Sequence, residues 1–200
     1  MVCCQEKVRS VPGDRPVPIL ARISRNLPRK RRGVGTPLSY LVRRAYGISG
    51  SIYRSKREWD LEVSSKRVVL DLSKYFSFKW RARSWRVPKL FFKAPRIARA
   101  ALLRGYFDAE AYVQRSPRRI EVHMCNRKGL CDIRALLRSL GIESRIYAMS
   151  AGRSWKLHVL GSDLVKFERS IEFAIRRKQR TLHQIASHRQ LTGIFKKRAP

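Results

Sequence analysis

The chain has 200 residues, 44% of them hydrophobic and 10% aromatic, which is enough apolar material to bury a core and leads us to expect a globular protein. Lys and Arg number 46 against 14 Asp and Glu, a formal net charge of +32, so the surface carries a positive field that draws polyanions. No apolar run reaches the length of a membrane span and the first ten residues, MVCCQEKVRS, lack a signal-peptide core, so a soluble intracellular protein is expected, cytoplasmic or organellar and not secreted.

Nucleic acid is the expected partner. The basic residues interleave with aromatics along the chain instead of lining one amphipathic face, which argues against a membrane surface. Cys3, Cys4, Cys125 and Cys131 lack the two-residue gaps of structural zinc sites, so reduced thiols are expected. His123, His158, His183 and His188 are no better placed as metal ligands.

Residues 1–36 read as an irregular basic segment carrying the cluster RISRNLPRKRRGVG, with PVPILARISRN as a candidate strand of a first repeat. Thr36 as N-cap and Pro37 as first helical residue open TPLSYLVRRAYGI, whose apolar residues recur at helical spacing. SGSIYRSK and EWDLEVSS alternate as a hairpin, and KRVVLDLSKYF is a second amphipathic helix. FSFKWRARSWRVPKLFFKAP follows, so 37–94 form a partial repeat with a basic aromatic linker. There Lys79, Arg81 and Arg83 lie among Trp80, Trp85, Phe91 and Phe92. Either they hold a phosphate backbone beside stacked bases, or the aromatics anchor the linker while the charges face water.

A helix opens at Pro95 with PRIARAALLRGYFDAEA, followed by the hairpin AYVQRSP and RIEVHMCN and the helix KGLCDIRALLRSLGI. The hairpin ESRIYAMSAGR and SWKLHVLGS and the helix DLVKFERSIEF complete a unit over 95–182, leaving 183–200 as a basic tail. Much of this order appears twice. Gly47, Ile48, Ile52 and Tyr53 match Gly141, Ile142, Ile146 and Tyr147 at an offset of 94, and Trp59, Leu61 and Val63 match Trp155, Leu157 and Val159 at 96. Such a duplication predicts two related halves. Asn26 matches Asn126 if PVPILARISRN is the counterpart of RIEVHMCN, and no counterpart of the helix at 95 is found.

In that helix Ala101, Gly105 and Ala109 recur every four residues, spacing that lets two helix backbones approach closely, or that tucks one helix against its own sheet. Asp108 and Glu110 sit where the helix terminus disfavours carboxylates by about 0.3–1 kcal/mol each, so something must offset them. A divalent cation shared with a second helix end is one answer, and solvated acids among arginines are the other.

The stretch LRGYFDAEA at 103–111, the order of elements from 95 to 173, and SIEFAIRRKQRTL with Ile171, Phe173 and Lys178 together resemble the LAGLIDADG homing endonucleases. The likeness is good over 95–182 and weaker over 18–94. It implies an α+β fold of two αββαββα repeats, the first incomplete, that binds double-stranded DNA site-specifically and hydrolyses phosphodiesters with bound metal. By this resemblance Glu110 is a catalytic, metal-binding acid at the centre of two packed motif helices, Asp108 is structural, and the metals are normally Mg2+. Lys178 stands for the basic residue near the scissile phosphate, or is one more solvated lysine. The strands form a saddle over the major groove on which Gln114, Arg115, Arg145, Tyr147, Lys156 and His158 read bases, unless they line its convex, solvated face.

Two departures from the pattern matter. The first half lacks a motif helix and its acid, and Ala111 stands where the family has glycine, a costly replacement if that residue needs positive φ. A truncated or degenerate endonuclease is therefore expected, completed by a second copy or by an upstream-encoded half. The alternative on the same fold is a non-catalytic module that binds nucleic acid, an RNA splicing maturase or a DNA-binding regulator.

Overall fold

The computed structural model describes residues 19–23, 37–55, 58–75, 83–149 and 152–196. Asn26, Thr36, Lys79 and Arg81 lie outside them, and with them what the sequence suggested for those positions. The chain divides between Lys79 and Trp80 into two compact units. Among the described residues, no helix is long and apolar enough to cross a membrane.

The smaller unit contains β1 (Ile19–Ile23), α1 (Pro37–Tyr46), β2 (Ser51–Ser55), β3 (Glu58–Val63) and α2 (Lys66–Ser73). Its sheet is antiparallel in the order β1-β3-β2. Alternation along β3 turns Leu61 and Val63 to one face, where they meet Val68 of α2, with Val42, Tyr46, Ile48 and Leu72 packed around them. The Tyr46 hydroxyl donates to Asp71 at 2.8 Å, which joins α1 to α2 and holds the Asp71 carboxyl below its ordinary range.

The larger unit contains α3 (Leu90–Lys93), α4 (Arg96–Glu110), β4 (Ala111–Gln114), β5 (Arg119–Met124), α5 (Arg127–Arg138), β6 (Arg145–Ala148), β7 (Trp155–Leu160), α6 (Asp163–Ser170) and α7 (Arg176–Lys196). From α4 to α6 the order is αββαββα. The smaller unit's described elements follow the same order from its third element onward. The larger sheet is antiparallel, β4-β5-β7-β6. Ile120, Val122, Leu157 and Val159 form its buried face and pack with Leu103 and Phe107 of α4, Leu130, Ile133, Leu136 and Leu137 of α5, and Phe167 of α6. Phe107 meets Phe167 edge-on at 4.9 Å, and Phe173 closes against Phe167 at 5.4 Å. Each such ring contributes about 1.5–3 kcal/mol of burial.

The duplication extends to strand register. β1 pairs with β3 as β5 pairs with β7: Ile19 opposes Val63 and Ala21 opposes Leu61, as Ile120 opposes Val159 and Val122 opposes Leu157. This sets β1 against β5 at an offset of 101, one residue away from the match of Asn26 to Asn126.

Three features of the structure bear on the reading of the sequence. Ala111 has φ −86° and ψ 150°, so α4 runs straight into β4 through an extended residue that alanine adopts without strain. Residues 85–91, assigned above to the linker of the first repeat, belong to the larger unit: Val87 is in its core, with Trp85 and Phe91 packed against it. The tail expected at 183–200 is helical as far as Lys196.

The linker is fastened by polar groups that its aromatic spacing did not reveal. The Asn126 side chain caps α5 by accepting from Gly129 N at 2.9 Å, and its amide donates to Trp85 O at 2.6 Å. A Cβ on Gly129 would come within 2.8 Å of the Trp85 ring, so glycine is what lets the indole sit there. Asp132 accepts from Arg86 Nε and Nη2 at 2.6 and 2.8 Å and from Val87 N at 3.1 Å.

Candidate functional site

Helix α4 uses one side and leaves the other bare. Leu103 and Phe107 are buried, whereas Ala101, Gly105 and Ala109 are exposed, and a Cβ placed on Gly105 would meet nothing within 4 Å. Ile97, one turn before Ala101, is 80% exposed. The small-residue stripe is therefore not tucked against the unit's own sheet.

The end of α4 is tied to the start of α7. Asp108 accepts from Ala174 N at 3.1 Å and Ile175 N at 3.2 Å, so it satisfies backbone donors ahead of α7 that would otherwise be orphaned. Lys178, from the first turn of α7, donates to Phe107 O at 3.2 Å and Asp108 O at 2.7 Å and so neutralises the negative end of α4. These bonds explain how one acid is tolerated there. They also show that Lys178 is a half-buried cap and not a freely solvated lysine. Burial pushes its ammonium below the usual range, Asp108 and Glu110 pull it up, and Arg177 pushes it down.

Glu110 differs from Asp108. It is exposed at the end of the bare face and has no hydrogen-bond or ion-pair partner among the described residues. The protein packed around it pushes its carboxyl above the ordinary range, while Lys178 pulls it back. Burial, with the charge of Glu110 added, also raises Tyr106, whose hydroxyl contacts Met124 Sδ at 3.3 Å.

The second surface is the sheet face turned away from the core. Alternation places Tyr112 and Gln114 of β4, Arg119, Glu121 and His123 of β5, Arg145 and Tyr147 of β6, and Lys156 and His158 of β7 on it, in cross-strand rows. One row runs Tyr112, Glu121, His158, Arg145, and the next runs His123, Lys156, Tyr147. Gln114, Arg145, Tyr147, Lys156 and His158, five of the residues named from sequence, thus share one face. Arg115 is exposed in the turn after β4, and Arg83 is exposed in a turn ahead of α3.

Glu121 was not anticipated, although an acid alternating with Arg119 and His123 in so basic a chain was a usable signal. It is only 8% exposed and contacts Lys156 at 2.7 Å, Arg119 at 2.9 Å and His158 at 2.9 Å. Burial pushes its carboxyl up, but these three partners outweigh that and hold it below the ordinary range. Burial and the neighbouring Arg119 push His158 down, against the pull of Glu121.

A family model described as a LAGLIDADG-like domain matches residues 98–172, the span that holds α4 and this sheet. This stretch of the larger unit is a LAGLIDADG-like domain. The homing endonuclease I-DmoI, solved in complex with DNA and Ca, is similar in fold at a TM-score of 0.58 and 17% identity, covering 84% of this chain and 82% of that one. Its complex with DNA and Mn gives 0.55 and 19%, covering 78% and 79%. Among curated proteins, a probable translation initiation factor IF-2 of Thermococcus kodakarensis is 37% identical over 105 residues, which is 52% of this chain and 9% of that protein. A DNA polymerase II large subunit of the same organism is 28% identical over 163 residues, 70% of this chain and 9% of that protein. The matched segment is thus about a tenth of each of these relatives. Among the described residues, no three His, Cys, Asp or Glu groups come together as a metal cage.

Proposed function

We propose that the chain is a homing-endonuclease module that binds double-stranded DNA on the open face of its larger sheet and cuts it with Glu110 as a metal-binding acid. The observation that carries this reading is Glu110 itself, an unpaired carboxylate on a strongly basic protein, placed where a bare small-residue helix face ends. Similarity in fold to endonucleases solved with DNA and divalent metals supports it.

The donor set fits half of a metal site. Magnesium is commonly held by one or two carboxylates together with waters and substrate phosphates, and Glu110 supplies one carboxylate free of competing partners. A divalent cation bound there supplies activated water and stabilises the leaving oxygen. A second motif helix packed on Ala101, Gly105 and Ala109, from another copy of the chain or from a further stretch of polypeptide, brings the second carboxylate. Lys178 holds the end of α4 in place and sets positive charge behind Glu110. The open sheet face and surrounding Lys and Arg engage bases and phosphates. A segment shared with a translation factor and with a polymerase subunit, at about a tenth of each, also fits a mobile element carried within unrelated hosts.

The test is cleavage of a random duplex library in Mg2+, with sequencing of the cut ends. Wild type is expected to yield defined ends, and Glu110→Gln to lose them while retaining DNA affinity. Equal cutting by the two proteins removes Glu110 from the mechanism. Sequence-selective binding with no cutting by either favours the non-catalytic binding module.

A further inference from the structure

We infer that Glu121 is a positioning residue for sequence recognition, its carboxylate locking Arg119, Lys156 and His158 into one fixed array on the open face of the larger sheet. This rests on the reading of that face as the DNA-binding surface.

A surface that only held phosphates would gain nothing from a carboxylate at its centre, because the acid opposes the attraction. Three contacts to one small group have another effect. Lys156 and Arg119 are long side chains whose rotamer freedom would otherwise be lost on contact with a base. Glu121 draws both in before the partner arrives: Lys156 Nζ lies 2.7 Å from one carboxylate oxygen and Arg119 Nη2 2.9 Å from the other. Arg119 Nε also donates to Gln114 Oε1 at 2.7 Å, which leaves the Gln114 amide nitrogen as the free donor of that side chain.

The same carboxylate fixes the histidine. An ionised carboxylate only accepts, so the 2.9 Å contact places the proton of His158 on Nε2. In the neutral ring Nδ1 is then an acceptor, of the kind that suits the exocyclic amino groups of adenine and cytosine in the major groove. Tyr147 lies against the imidazole at 4.9 Å, so the array reaches from Gln114 on β4 to Tyr147 on β6.

The repeat shows that the fold does not require this acid. In the smaller sheet the equivalent register position is Leu20, which opposes Glu62 as Glu121 opposes His158. A β-strand of this pattern therefore pairs without a carboxylate at that position.

The experiment is selection of a random duplex library by the full chain in Ca2+, with enrichment read by sequencing, together with Kd for one unselected duplex. Wild type is expected to enrich a defined set. Glu121→Gln is expected to flatten that enrichment about tenfold, the loss of one good base contact, while binding the unselected duplex as tightly or more tightly because a negative charge is gone. Glu121→Asp keeps the charge and shortens the arm. It is expected to lose selectivity with unchanged affinity for the unselected duplex, and it decides the matter should the glutamine variant fail to melt cooperatively. Enrichment of the same set with the same strength by wild type and either folded variant overturns the inference. So does a parallel loss of affinity for both DNA classes, the signature of a merely structural acid. No enrichment by wild type overturns the proposed function and this inference together.

Discussion

At equivalent register positions of the two sheets, Lys156 and His158 of β7 correspond to Asp60 and Glu62 of β3, while the residues between and beside them, Leu157 and Val159, correspond to Leu61 and Val63. On these two strands the core-facing residues are the same in both copies and the residues turned the other way are changed from acidic to basic or imidazole. Burial accounts for the first: Leu61 and Leu157 are both almost wholly buried, and only a close apolar fit is tolerated there. Side chains turned the other way do not meet that apolar core and are free to differ in charge. The two copies therefore share an architecture but differ in charge at these strand positions.

The largest expected effect that would test this comparison is on stability. Leu157→Ala should cost about 2–5 kcal/mol, because the site is enclosed by helices from several directions and cannot collapse around the cavity. Leu61→Ala should fall at the low end of that range, since only Val63 and Val68 are buried with it among the described residues. Amide exchange of β7 and β3 measures both, and equal costs would mean that the smaller core is as tightly enclosed as the larger.

Next in size is the clip that fastens the linker to α5, a feature of the larger unit. Asp132→Ala leaves Val87 N without its buried acceptor and Arg86 without its bidentate partner. The expected cost is about 1–3 kcal/mol in denaturant unfolding. A change within error would show that the aromatic contacts of Trp85 alone hold the linker.

The smallest effect concerns charge. Lys156→Gln should reduce the steepness of the log-log dependence of DNA affinity on salt by about 0.9 if that lysine neutralises one phosphate, and Asp60→Lys should increase it by a similar amount if the smaller sheet also faces DNA. Salt titrations on the two variants give both slopes. A slope altered by Lys156→Gln but not by Asp60→Lys would restrict DNA contact to the larger sheet.

Much of this was legible in the residues. Alternation and helical spacing gave the hairpins and helices, because the periods of 2 and 3.6 follow from backbone geometry alone. The fixed offsets of 94 and 96 revealed the repeat. The exposed stripe of α4 could be named by spacing, but whether it faced its own sheet or stood bare depended on where Leu103 and Phe107 found their partners. The separate tasks of Asp108 and Glu110 were likewise invisible from spacing alone. Asp108 is used up by two backbone donors more than sixty residues away, and Lys178 reaches back over a similar span to cap the same helix.

The sequence by itself determined the periodicity, the duplication, the net charge and the acid at the end of a small-residue helix, since each is a local pattern or a sum over residues. Only the tertiary structure decided that Ala111 is extended, that residues 85–91 pack with the larger unit, and that Glu121 gathers three partners from two strands. Those outcomes depend on which distant groups meet, and pairing across a sheet is set by register and shared burial, which no single stretch of chain contains.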